Sequence, residues 1–479
     1  MKRLIYIVFV AVISFLTACE DNLLKDTPAV PAPPPDVPAT PGNADFTTVV
    51  SLGNSLTAGY MDGALYDRGQ NNSFPNLFSK QLMELSENTL TEFNQPDINA
   101  ENGYFGLGPG GIILGRLKLN ASSLPEPIIP GDAVTAYAGD KTKLNNFGVP
   151  GILLGQALTP DTGNPNSPLY NPLYARFASA PGTSTIIGDA VARQPSFFTF
   201  WLGSNDVLGY AISGATNDAI FTDPAAFQLQ YGAAMQTLLA TGADGVVANI
   251  PDVVDIPFFK LVPYNALVLD QATADQLNDG FAPFNAGVDL YNSTPGLPEE
   301  MKRSKVAFQA GPNNFVIDDK DLPQVPGLPS IRHIDATELV GLTVPQDSIS
   351  IWLAQGKGIP DRYVLTSPEI TKVSERTIEL NQIIAGIVAA NSEKVALVDI
   401  YNIFKELAGA GVTREYDVTI SADVAPPYGM FSLDGVHPNA RGSAYVANKF
   451  IEAINAKFGS TIKYVPLENS PINDFPPSN

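Results

Sequence analysis

From Ala44 onward the chain alternates short apolar runs with stripes of helical period. The runs Phe46–Leu52, Ser196–Leu202, Gly245–Ile250 and Val395–Ile400 are each bounded by Gly, Pro or a polar turn, and they read as buried strands. Leu144–Phe147 reads as a weaker fifth. Between them, Asp223-Pro224 supplies a cap and a first-turn proline. The stripe Phe227, Tyr231, Met235, Leu238 follows and stops at Gly242. A second stripe, Leu380, Ile383, Ile384, Ile387 and Val388, leads into the Val395 strand. A third, Val446, Ala447, Phe450, Ile451, Ile454 and Phe458, ends at Gly459. Continuously apolar strands separated by amphipathic helices predict a parallel sheet covered on both faces, an α/β fold.

The first residues follow a different pattern. Met1-Lys2-Arg3 is basic, Leu4–Phe15 is apolar, and small residues follow, so residues 1–18 read as a cleaved signal peptide. The run is too short to span a bilayer as a helix. Leu16-Thr17-Ala18-Cys19 resembles the lipobox of bacterial lipoproteins, which implies a lipid on Cys19 and a place in the bacterial cell envelope, at the outer membrane. Acyl chains there would anchor the chain without spanning. Residues 19–44 carry seven prolines, from Pro28 to Pro41, and read as an extended tether. The folded domain is expected over 45–479.

Composition narrows the function classes. A net charge of −21 repels phosphate backbones and argues against a nucleic-acid partner. The single cysteine excludes an internal disulfide and a paired-cysteine metal site. Forty Gly and 41 Pro predict long ordered loops. With only His333 and His437 present, histidine chemistry has two candidates.

In parallel α/β sheets, sites form where strands end at their carboxyl side. Those ends hold Gly53-Asn54-Ser55-Leu56, then Asn146 to Gly151, then Gly203-Ser204-Asn205-Asp206; after the last strand, just before the final helix, comes Asp434-Gly435-Val436-His437-Pro438. A serine hydroxyl attacks only when a base takes its proton. His437 suits that role, since imidazole is the side chain that titrates near neutrality. Asp434, three residues earlier, is placed to fix its tautomer. The Ser55 N–H, the Gly151 N–H and the Asn205 amide together would make an oxyanion hole.

These four blocks resemble those of the SGNH/GDSL hydrolase superfamily. Gly53–Leu56 matches the first block, Asn146 to Gly151 the second, Gly203–Asp206 the third and Asp434–Pro438 the last. The longer match Gly53–Tyr60 with Gln70-Asn71-Asn72-Ser73-Phe74-Pro75 looks like lipoprotein members from Bacteroidetes-type bacteria. The resemblance implies a three-layer α/β/α flavodoxin-like fold and a Ser55, His437, Asp434 triad. It also implies an oxyanion hole of Ser55, Gly151 and Asn205, with no cofactor and no metal. Asn54 stands where the family has Asp, a change that leaves nucleophile and base intact. The spacing between blocks predicts insertions at about 61–140 and 252–370 over the top of the sheet. The second carries Ile256-Pro257-Phe258-Phe259 and Ile351-Trp352-Leu353, either to line an acyl groove or to pack as a subdomain core.

The expected activity is hydrolysis of carboxylic esters through an acyl-enzyme, of lipase or esterase type, on a small ester, a lipid or an acylated glycan. A carbohydrate or peptidoglycan O-acetylesterase is the alternative. A non-catalytic glycan-binding lipoprotein explains the anchor but not the four blocks, and oligomeric state stays open. Several features read as structural. Gly106–Gly111 spells a dinucleotide fingerprint without its strand and helix context. Ser55 lies in Gly-x-Ser-x-Thr and lacks the nucleophile elbow of α/β-hydrolases. His333 reads as a structural histidine, Trp201 as core, and Asp318, Asp319 and Asp321 as a solvated acidic turn without calcium-loop spacing.

Overall fold

A computed structural model of the protein describes residues 25–26, 38–121 and 124–473. The expected signal peptide, Cys19 and most of the tether lie outside the described residues. Its last residues do not: Ala39 and Ala44 are buried. The Asn43 N–H donates to the Phe458 carbonyl at 2.8 Å, and the Thr40 N–H donates to Thr461 Oγ1 at 2.9 Å. Ordered packing therefore begins several residues before Asp45, because this backbone finds partners beside the end of the last helix.

Five parallel strands form the central sheet: β1 (Val49–Gly53), β2 (Asn146–Gly148), β3 (Phe197–Trp201), β4 (Asp244–Ala248) and β5 (Val395–Val398). Their order is β2-β1-β3-β4-β5, the flavodoxin-like sequence of strands. The α/β class and the buried parallel sheet expected from the apolar runs are present. The chain direction switches between β1 and β3, and a crevice opens at such a point.

Both faces are covered. Helices α1 (Ser55–Ala58) and α2 (Phe74–Leu82) follow β1; α3 (Ile186–Val191) precedes β3, and α4 (Asn205–Ile212) and α5 (Pro224–Leu239) follow it. Then come α6 (Ser367–Ala390), α7 (Ile400–Ala410) and α8 (Ala440–Phe458). Helix α8 packs on α2, β4 and β5, whereas α3 packs on α5. Strand β3 shows the alternation of a two-sided strand. Phe197 meets Phe458, and Trp201 meets Phe74 and Phe450, while Phe200 on the other face meets Tyr231. Residues 74–82, placed by the sequence within the first insertion, thus form part of a covering layer.

The chain divides into two compact units. The sheet and most of its covering helices belong to the larger, which omits 209–219, with the end of α4, and 258–374, with the start of α6. Those two segments make the other unit, whose core includes Phe281, Val306, Phe315, Ile317, Ile331 and Val364. It contains the helix Gln271–Asn292 and short hairpins such as Val316–Asp318 with Ile331–His333. The acidic turn at 318–321 is not simply solvated. Asp319 is buried and accepts from Arg332 Nε at 2.7 Å, and Arg332 also pairs with Glu338 at 2.6 Å. An arginine supplied by the adjacent strand makes burial of that carboxylate tolerable. His333 is structural in its contacts, with Nδ1 3.1 Å from the Asn314 carbonyl and Nε2 3.0 Å from that of Ala307. Gly106–Gly111 turns between two short antiparallel strands, Gly106–Leu107 and Ile113–Leu114. Among the described residues no helix is long and apolar enough to cross a membrane.

Candidate active site

Ser55 is the first residue of α1, immediately beyond β1, and is 6% exposed. Asn54 caps the helix by accepting from the Leu56 N–H at 3.0 Å. Asparagine caps a helix as well as aspartate does. A tight approach fixes the other end of α1. A Cβ on Gly148 of β2 would lie 2.3 Å from the Ala58 nitrogen, so only glycine lets strand and helix meet. Asn146 Nδ2 adds a donation to the Thr57 carbonyl at 3.0 Å.

His437 and Asp434 occupy the loop that enters α8. Asp434 Oδ1 accepts from the Val436 and His437 N–H groups, both at 2.8 Å, closing a compact Asx-type turn. Asp434 Oδ2 lies 2.9 Å from His437 Nδ1, and His437 Nε2 lies 2.8 Å from Ser55 Oγ. With Nδ1–H donating to the carboxylate, Nε2 is left as the acceptor that faces the serine hydroxyl. Burial works to raise the Asp434 pKa. The charge of His437 and the hydrogen bonds from His437 and Val436 outweigh it and hold the carboxyl down at about 2.

The structure adds groups that the sequence reading missed. The Gly63 N–H donates to Asp434 Oδ2 at 2.8 Å. Beside it, Asp62 Oδ1 accepts from the Leu433 N–H at 3.0 Å, and the Asp62 N–H donates to Ser432 Oγ at 3.0 Å. The turn at 61–64 therefore clasps the loop that carries the acid. The Asp62 carboxyl is itself buried, which raises its pKa, and accepts from the Tyr66 hydroxyl at 2.7 Å. The Tyr60 ring packs 4.9 Å from the imidazole. Its phenol is held well above the usual range, by burial first and then by Asp434. An Asp-Gly pair announces a turn, but its docking partner lies about 370 residues away and leaves no local signal.

On the opposite wall, Asn205 Nδ2 donates to the Ile152 carbonyl at 2.8 Å, which orients the amide and leaves its second N–H available. Gly151, one residue before Ile152, has φ +78, a left-handed turn that glycine adopts without strain, and the space its Cβ would fill is open. Asp206 ties these two loops together. Its Oδ2 accepts from the Leu154 N–H at 3.0 Å and its Oδ1 from the Thr222 hydroxyl at 2.6 Å. Burial, only partly offset by those bonds, raises its pKa to about 6. Ser204 Oγ is buried and has no partner among the described residues.

Ser55, Ser204, Asn205 and His437 open together onto a cavity of about 100 Å³. Asp434 stands behind His437, and Gly151 sits on the neighbouring turn without lining the cavity. Trp201, expected as core, is buried and donates to the Asn249 carbonyl at 3.0 Å, yet its ring also forms part of the cavity wall. Of the expected acyl groove within 252–370, only Val253 and Ile256 line this cavity; α7 supplies its longest wall. Among the described residues no cluster of three or more His, Cys, Asp or Glu is placed to hold a metal.

No family model and no curated protein sequence matches the chain. Among solved structures, the chain is similar to an alpha/beta hydrolase enzyme from the metagenome of Lake Arreo, Spain. Identity is 10%, coverage 86% of this chain and 96% of that one, and the TM-score 0.35. It is also similar to a catalytic mutant of an acetylxylan esterase from Geobacillus stearothermophilus, at 8% identity, 86% and 95% coverage and a TM-score of 0.32. Likenesses this remote bear no functional weight.

Proposed function

We propose that the protein is a serine hydrolase of carboxylic esters, of the SGNH type, with Ser55 as nucleophile, His437 as general base and acid, and Asp434 as the group that orients and charges the imidazole. One observation carries the reading: the unbroken hydrogen-bonded line from Asp434 through His437 to Ser55, ending at the wall of a cavity. Ser55 Oγ attacks the ester carbonyl while His437 Nε2 takes its proton. The carbonyl oxygen becomes an oxyanion, for which the Ser55 N–H at the open start of α1, the Gly151 N–H and the Asn205 amide are the donors. The intermediate collapses as His437 returns the proton to the leaving alcohol. Water, deprotonated by the same imidazole, then releases the acid from Ser55. Lipidation of Cys19 would hold this enzyme on the bacterial cell envelope, with the segment after it as the spacer.

A fluorophosphonate probe tests the assignment directly. Covalent labelling is expected at Ser55 in the full chain, and Ser55→Ala is expected to lose at least about 10³-fold in kcat for ester hydrolysis. Labelling at another serine, or activity retained in Ser55→Ala, rejects the proposal.

A further inference from the structure

We infer that the ester this site takes carries a linear saturated acyl chain of about four to six carbons, seated in the cavity between α7 and the His437 loop. The inference rests on the ester-hydrolase reading and goes beyond it to the substrate class.

The cavity has a polar end and an apolar remainder. Asn54, Ser55, Ser204, Asn205 and His437 cluster at the catalytic loops. Away from them, among the described residues, the polar groups of the wall are the Tyr445 hydroxyl and the Trp201 Nε1–H, and both are already engaged, in donation to Glu415 at 3.1 Å and to the Asn249 carbonyl at 3.0 Å. Among the described residues, no Asp, Glu, Lys or Arg lines the space. A sugar ring placed there would leave its hydroxyls without partners, at about 1–3 kcal/mol for each buried group. A methylene chain needs none.

Helix α7 explains why the space stays open. Ile400, Ile403, Phe404 and Leu407 recur at i, i+3, i+4 and i+7 and all face the cavity, an apolar stripe running about 10 Å along the helix. In most domains such a stripe is filled by opposing side chains at close packing. Here Trp201, Met430 and Val253 line the other walls and leave a void. An apolar cavity of about 150 Å³ holds a six-carbon ring. The present volume of about 100 Å³ therefore suits a chain of about four carbons, with room at the open end for a little more. Acetate would leave it vacant.

The chain belongs to the acid side of the ester and not to the alcohol. Ser55 Oγ becomes bonded to the acyl carbon, and the Asn205 amide faces the acyl oxygen. Both groups line this cavity, so a substituent on that carbon has a direct route into it.

The test is a series of 4-nitrophenyl esters, from acetate to dodecanoate, with the full chain. Each methylene buried is worth about fourfold, so kcat/KM for butanoate and hexanoate is expected to exceed that for acetate by at least about tenfold. It should then level or fall with longer chains. Leu407→Trp fills the slot and is expected to lower the hexanoate-to-acetate ratio by about tenfold or more. Ile403→Trp is the second variant, and fluorophosphonate labelling of Ser55 shows in either that the site is assembled. Acetate preferred by a protein that still labels at Ser55 overturns this inference alone. So does a flat acyl series, or a ratio unchanged in both tryptophan variants. No turnover of any ester and no labelling overturns the hydrolase reading, and this inference with it.

Discussion

The chemistry of Asp434 is set by what surrounds it. Its carboxyl, held at about 2 in the fold, has an unfolded value near 3.9. A group with a depressed native pKa stabilises the fold above its unfolded value, and that contribution is lost as pH falls through the native one. The shift is worth about 2 kcal/mol. Asp434→Asn is therefore expected to be less stable than the parent by about that amount at pH 5. The gap should shrink by half or more near pH 2, as read from urea midpoints at the two pH values. The same variant is expected to lose roughly 10³–10⁴-fold in kcat, because the imidazole loses its orienting charge. An equal gap at both pH values would mean that ionisation of Asp434 contributes nothing to stability and that the loss in the variant comes from packing alone. The candidate residues at this site were readable from the sequence because each proposed role demands one side-chain type, at a strand end or in the loop before the last helix. Gly63, Asp62 and Asp206 were not, since each acts through a backbone or second-layer contact whose partner is remote in the chain.

At the level of elements, the active site is a matter of where helices start. Helix α1 presents Ser55 because Asn54 caps it and Gly148 lets β2 lie against it. Gly148→Ala forces a Cβ onto the Ala58 nitrogen, and a backbone atom yields less readily than a flexible side chain. A loss of about 2 kcal/mol in stability is expected. A fall in kcat should accompany it while Asn205 and His437 stay in place, measured by thermal unfolding and steady-state kinetics. Unchanged kcat in a destabilised variant would separate the packing role from nucleophile placement. The five strands were legible because buried parallel strands are continuous apolar runs, and their ends shifted by only a few residues. Helix α2 escaped notice since its nine residues, Phe74–Leu82, mix Asn, Ser, Lys and Gln with the apolar positions. The cavity wall on α7 escaped too: its stripe has the same period whether it meets a core or a void.

On the scale of the whole molecule, the second unit and the proposed anchor matter. The segment 258–374 has its own apolar core and was recognisable in the sequence only as excess length. For the anchor, Cys19→Ser is expected to release the protein from the membrane fraction with ester turnover per molecule unchanged. Persistence in the membrane after a high-salt wash would place the attachment elsewhere. The line from Asp434 to Ser55 has a further consequence. Its serine and its imidazole are 382 residues apart in the chain. A polypeptide made from its N-terminus would carry the proposed nucleophile out early and remain chemically silent until the last loop and α8 came to rest on the sheet. On the proposed mechanism, catalytic competence is thus a report that folding has finished, and a chain cut anywhere before His437 would be inert however well its sheet has formed.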